Sequence, residues 1–269
     1  MYMHAIAKRR GWLALALAAL VLVVMPTALA QGPDGTAPAG LSPQYWGGWD
    51  VTEGGRLSVA VEYHADYPGT ADDLPNAAGN AWGLYNYLVG RNWQGRFIWG
   101  NQNSWEGDFK RSALGGWENS YGGSGIDTAD LVFYEGHGNP TLFTFNTPTG
   151  NGIHTDNYVT PNDAYMAWGD ADAEWIALLS CSVLADSNEN AWAWTFNHLH
   201  LLLGFRTTAY DVGGFGQRFA TYIDNPYHNF NITSSWFKAC DDRQPGGVVA
   251  KVLAEEYNHF FDYKDYQYP

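Results

Sequence analysis

An α/β domain with a largely parallel sheet, covered by helices on both faces, is predicted by three features of this sequence. Short apolar runs without polar alternation recur along the chain. Segments with helical spacing stand between them, and Gly, Pro and Asn mark the joins. Apolar runs of that kind fit strands buried on both sides, which is the setting of parallel sheets.

The elements follow in order. Residues 57–63 (LSVAVEY) read as a strand. Residues 73–89 read as a helix, with Leu74, Ala78, Ala81, Trp82, Tyr85, Leu88 and Val89 on its apolar stripe and Gly90 at its stop. Residues 95–99 form a second strand, and the Gly-rich stretch 112–125 is a loop. Strands 131–134 and 175–179 are unbroken apolar runs, and 201–207 is another. Helical patterns cover 190–197 and 217–223, and Pro245 opens a last helix with Val248, Val249, Val252 and Leu253 inward. Residues 56–269 thus read as a single domain.

The 269-residue chain is 46% hydrophobic, enough for a sizeable core, which excludes a disordered chain. Its net charge of −14 repels phosphate backbones, so nucleic acid is not an expected partner. Lys8, Arg9 and Arg10 precede the apolar run 12–24, and Ala28-Leu29-Ala30 supplies small residues before a cleavage point. Residues 1–30 therefore read as a secretory signal peptide, and 31–55, rich in Pro, Gly and Ala, as a linker or short pro-segment. The apolar run is short for a membrane span, so the expected product is secreted (extracellular, periplasmic or at the cell surface), with no stable membrane insertion after cleavage. An exported chain permits disulfides, and Cys181–Cys240 is one reading of its two cysteines.

Parallel sheets collect reactive groups beyond the carboxyl ends of their strands. One apolar strand runs into Tyr134-Glu135-Gly136-His137-Gly138, and another into Ser180-Cys181-Ser182. If these strands are neighbours, a thiol and an imidazole meet in one crevice, which is what nucleophilic catalysis by cysteine requires. The N–H groups of Gly138 and Cys181 are then placed to hold an oxyanion. Glu135, beside the pair, reads as an exposed loop carboxylate.

An apolar strand ending in His-Gly, followed by one ending in Ser-Cys, resembles the caspase-like cysteine peptidases: the caspases, metacaspases, legumains, gingipains and clostripain. The matching residues are GHG at 136–138 and SC at 180–181. The chain is also similar to secreted bacterial proteins with the same blocks. The resemblance implies a caspase-like three-layer sandwich, a His137/Cys181 dyad, an oxyanion hole at Gly138 and Cys181, a protein or peptide substrate and no cofactor. It also implies that the segment after the strand at 201–207 shapes a specificity pocket, where Asp211 would pair with a basic side chain; a turn-capping role is the other reading of this aspartate.

Two functions stay open on the sequence: an exported endopeptidase, and an inactive binding protein for peptide or carbohydrate on the same scaffold. Trp46, Trp49, Trp93, Trp99 and Trp105 motivate the carbohydrate version, although tryptophan is mostly a core residue. His198 and His200 suggest a metal-dependent hydrolase, but no third ligand is placed by spacing, so no metal is expected. Asp170, Asp172 and Glu174 lack the glycine and spacing of a calcium loop and read as a solvated turn.

Overall fold

In the computed structural model, the residues described are 56–67, 73–120, 125–145, 156–224 and 230–255. The expected signal peptide, the linker, Trp46 and Trp49 lie outside them.

Strands β1 (Ser58–Tyr63), β2 (Gln94–Gly100), β3 (Leu131–Glu135), β7 (Trp175–Leu179), β8 (Leu201–Phe205) and β9 (Ala250–Ala254) make a six-stranded sheet in the order β2-β1-β3-β7-β8-β9. The first five are parallel, and β9 runs antiparallel to β8. A small antiparallel sheet joins β4 (Gly138–Asn139), β5 (Leu142–Thr144) and β6 (Tyr158–Val159). The helices are α1 (Ala77–Gly90), α2 (Glu189–Ala193), α3 (Phe215–Ile223) and α4 (Ile232–Arg243). The predicted α/β class, with a mostly parallel central sheet and flanking helices, is the one observed.

Alternate strand residues face opposite ways, and each face has its own packing partner. Ala60, Val132, Tyr134, Ile176, Leu178 and Leu202 share one buried cluster with Phe109, Phe143, Phe145, Trp168 and Trp192. On the other face α1 packs on α3 and α3 on α4. There Trp236 of α4 is fully buried among Phe205, Phe215 and Phe219, with ring centroids 5.1–5.3 Å away. Its indole N–H donates to the Gly204 carbonyl at 3.1 Å, so the one polar atom of this ring is paired.

Three elements depart from the sequence reading. The residues after Pro245 form a turn and then the strand β9, not a helix. Gly247 has a φ of 94°, which breaks a helix, and the Val-rich stretch beyond it suits a sheet edge. The buried stripe of α1 is Ala77, Asn80, Ala81, Leu84 and Leu88, while Trp82 and Val89 are exposed. The helix is rolled so that the polar Asn80 points inward, where it has hydrogen-bond partners. The helix expected at 190–197 ends at Ala193, because the Trp194 and Thr195 carbonyls accept N–H groups from Met166, Ala167 and Trp168 instead of continuing the turn.

Several carboxyls are enclosed by this packing. Asp130 accepts from the Ser58 N–H and hydroxyl at 2.6 and 2.7 Å, tying the starts of β1 and β3 together. Burial raises Asp130 to about 6 and Glu106 to about 7, and carries Glu62 and Glu135 well above the usual carboxylate range. The folded chain therefore holds protons that the unfolded chain has lost, and stability must fall as pH climbs from the ordinary carboxylate range through about 7. Urea unfolding should give a higher midpoint near pH ~5 than near pH ~8; an unchanged or reversed order contradicts the burial described.

Candidate active site

Strands β3 and β7 are adjacent and parallel, and their last paired residues are Glu135 and Leu179. His137 and Cys181 each follow two positions later, so they stand at matching register beyond the same edge of the sheet. The winding of the sheet reverses at β1, and the crevice beyond the strand ends at such a reversal is where ligands bind in open α/β sheets. One strand further along, beyond the ends of β3 and β7, His137 and Cys181 line one open cleft with Glu135, Gly136, Leu179 and Ser180. Leu74, Ala209, Tyr210 and Asp211 close its other side.

The histidine turn is held by aromatic hydroxyls. The His137 N–H donates to Tyr67 Oη at 2.9 Å, and the two rings lie 4.5 Å apart. Tyr67 Oη in turn reaches the Thr144 carbonyl at 3.2 Å, where Tyr134 Oη also donates. Because the Thr144 N–H donates to the His137 carbonyl at 2.9 Å, antiparallel alternation turns the Gly138 N–H away from β5. That leaves a backbone donor facing out of the small sheet. A Cβ on Gly136 would come within 2.2 Å of Tyr134 Oη, and one on Gly138 within 3.0 Å of Ser180 Cβ. Glycine at 136 leaves room for the Tyr134 and Tyr67 hydroxyls, and glycine at 138 eases the close approach of the two strand tips.

The cysteine turn is tied to the histidine turn through Ser180, whose buried hydroxyl donates to the Gly136 carbonyl at 2.9 Å. Ser182 has a φ of 54° and donates its N–H to the Thr207 carbonyl at 2.9 Å, so the chain bends sharply just past the cysteine. Cys181 is partly exposed, and its thiol donates to the Ala209 carbonyl at 3.2 Å. Burial raises this thiol above its ordinary value, so the resting group is the protonated thiol. The disulfide reading is overturned: both cysteines are free. Cys240 is buried in α4, where burial pushes its thiol up strongly.

Asp211 lies on the cleft wall. Its Oδ2 accepts from the Asn76 N–H at 2.8 Å and its carbonyl from Asn76 Nδ2 at 3.0 Å, so it also steadies the start of α1. A carboxylate at a helix N-terminus is favoured by the helix dipole. Glu135 is not the exposed loop carboxylate expected. It is 1% exposed, accepts from Asn80 Nδ2 at 3.1 Å, and lies within hydrogen-bonding reach of Asp211. Its place as the last residue of β3, on the α1 face, forces this.

The remaining candidates are not brought together. His200 pairs with Glu174 at 2.8 Å, and among the described residues no group of three side chains could hold a metal ion. Asp170 accepts from Asn119 and Asn197, and Asp172 faces Arg96 at 3.7 Å, so the acidic trio diverges. Trp93 is buried and donates to Asp224 at 3.0 Å, which removes it from any sugar platform. Tyr67 and Asn80 support the cleft but carry no motif in the sequence. Among the described residues no helix is long and apolar enough to cross a membrane.

A model of a domain of unknown function, DUF6345, matches residues 61–268 of the chain. No curated protein matches it significantly. Among solved structures, the chain is similar to the Drosophila initiator caspase Dronc, with 13% identity over 73% of this chain and 79% of that one and a TM-score of 0.46. It is also similar to pro-sf-caspase-1, with 11% identity over 77% of this chain and 90% of that one and a TM-score of 0.47. At those scores the likeness carries no argument about function, and the α/β assignment stands on strand order and register.

The two thiols should separate under iodoacetamide. Mass spectrometry of the native protein should show alkylation at Cys181, with a rate rising through a pH above the ordinary thiol range, and none at Cys240. Equal labelling of both contradicts the burial described.

Proposed function

The chain belongs to the DUF6345 family, and we propose that this member is an exported cysteine endopeptidase of caspase-like type, with Cys181 as its nucleophile and His137 as its proton carrier. The observation that carries this reading is the convergence of a free thiol and an imidazole on one cleft, at matching register past two adjacent parallel strands. Order of motifs and sheet position support the caspase-like type. Residues 1–30 are the leader that exports it.

Cys181 rests as a thiol, so its proton leaves as sulfur attacks the peptide carbonyl carbon, with His137 taking it. The carbonyl oxygen becomes an oxyanion, which the Gly138 and Cys181 N–H groups stabilise. His137 then gives the proton to the departing amine, leaving a thioester on Cys181 and the free amino-terminal end of the second product. Water attacks the thioester with His137 as base, releasing the carboxylate product and restoring the thiol. Asp211 on the cleft wall selects a basic side chain before the scissile bond, and the acidic chain as a whole favours such substrates.

A second reading, a peptide-binding protein without turnover, is favoured by one observation: the thiol is raised by burial and engaged with the Ala209 carbonyl. A mixed peptide library separates the two. The wild-type chain should cleave after Arg or Lys, and Cys181→Ala or His137→Ala should lower kcat/KM by about 10³-fold or more. Asp211→Asn should cost roughly 10- to 100-fold on basic sites and little on neutral ones. Equal cleavage by wild type and Cys181→Ala removes the peptidase assignment, and peptide retention without cleavage by the wild type supports the second reading.

A further inference from the structure

Two acceptor atoms in the cleft wall have no donor among the described residues. Glu135 Oε2 and Asp211 Oδ1 are both buried from solvent and lack a hydrogen-bond partner among the described residues. Their other oxygens are engaged: Glu135 Oε1 with Asn80 Nδ2 at 3.1 Å, and Asp211 Oδ2 with the Asn76 N–H at 2.8 Å. Asn80 is itself fixed, since its Nδ2 also donates to the Val212 carbonyl at 3.0 Å and its Oδ1 accepts the Phe215 N–H at 2.9 Å. Neither carboxyl can turn to find another donor without breaking these bonds. The two lie within hydrogen-bonding reach of each other, and both line the cleft that holds His137 and Cys181. Two neighbouring carboxyls enclosed together carry like charge when both are ionised, which a shared proton or an incoming cation relieves and a bridging water does not.

We propose that Glu135 and Asp211 share one proton while the cleft is empty, and that a guanidinium or ammonium side chain entering the cleft displaces that proton to solvent. This rests on the reading of the cleft as a pocket for a basic residue and adds Glu135 as a second specificity-determining group. The exchange balances: the O–H bond of Glu135 breaks, its proton passes to water or buffer, and both carboxylates then accept hydrogen bonds from the incoming cation. A pair of carboxylates presents a wider fork than one, which suits a guanidinium with donors on two edges.

The groups facing the pair explain where the proton sits. Burial is the main cause that holds Glu135 protonated, and the neighbouring Asp211 adds to it. Tyr67 and Tyr134 are the other ionisable groups that sense Glu135, and both are themselves raised by burial. Asn80 is the neutral neighbour from α1, and His137 and Cys181 share the cleft. No lysine or arginine is among the described residues that line it, so an incoming cation meets no built-in competitor.

Calorimetric titration of the chain with benzamidine, in two buffers of different ionisation enthalpy near neutral pH, measures the exchange. The wild-type chain should release close to one proton per benzamidine bound, and affinity should rise about tenfold per pH unit. Glu135→Gln should still bind benzamidine but release no proton and lose that slope. Asp211→Asn should lose binding while keeping a cooperative melt. Benzamidine binding without proton release, or release that persists in Glu135→Gln, overturns the shared proton but leaves the basic pocket standing. No binding by the folded wild-type chain overturns the basic pocket and this inference with it.

Discussion

The parallel pairing of β3 with β7 is the constraint from which the site follows. A parallel pair brings two carboxyl ends to the same edge, and the right-handed crossover that parallel strands require carries the intervening chain over one face. Here that chain runs over the aromatic face and contributes Phe143, Phe145 and Trp168 to its core. The crossover therefore serves both ends at once. It fills one face with rings, and its first residues form the small sheet that holds Gly138. The Ser180–Gly136 hydrogen bond then closes the gap between the two tips. A substitution at Gly138 acts on this approach, and one at Gly136 on the tyrosine hydroxyls beside the histidine turn, before either acts on any chemistry.

The strand reading survived contact with the structure where burial on both faces left one pattern possible. Residues 131–134 and 175–179 are unbroken apolar runs, and both are central strands. At the edges the pattern weakens. Strand β9 is half-buried, and its Val-rich residues fit helix or strand by hydropathy alone, so the φ of Gly247 decided what the sequence pattern could not. The roll of α1 was hidden for a different reason. An asparagine on the buried face looks like a polar interruption until its partners on Glu135, Val212 and Phe215, 55 to 135 residues away, are known.

The same limit governs the site. That His137 and Cys181 would face one cleft was legible because strand ends have a local signature. The free state of both thiols was legible only as one of two readings: Cys240 read as an inert helix cysteine, which it is, while an even cysteine count in a chain expected to be exported also fits a bridge. Glu135 was misplaced because its neighbours in sequence are a tyrosine and a glycine, whereas its neighbours in space are Asn80 and Asp211. Alternation along β3 turns it to the α1 face, and from there burial does the rest. The acidic character of this chain is thus not only a surface property. Part of it is folded inward, and at the cleft it sits beside the thiol rather than against it, leaving Cys181 bonded to a backbone carbonyl.

The account stands on one arrangement: the Cys181 sulfur and the His137 ring working on the same bound carbonyl. A peptidyl acyloxymethyl ketone ending in arginine tests it directly, because the reagent alkylates only a cysteine that is activated beside a docked side chain. Peptide mapping should find the adduct on Cys181 alone, with labelling lost in His137→Ala. An adduct on Cys240, or labelling of Cys181 that is indifferent to His137, contradicts it.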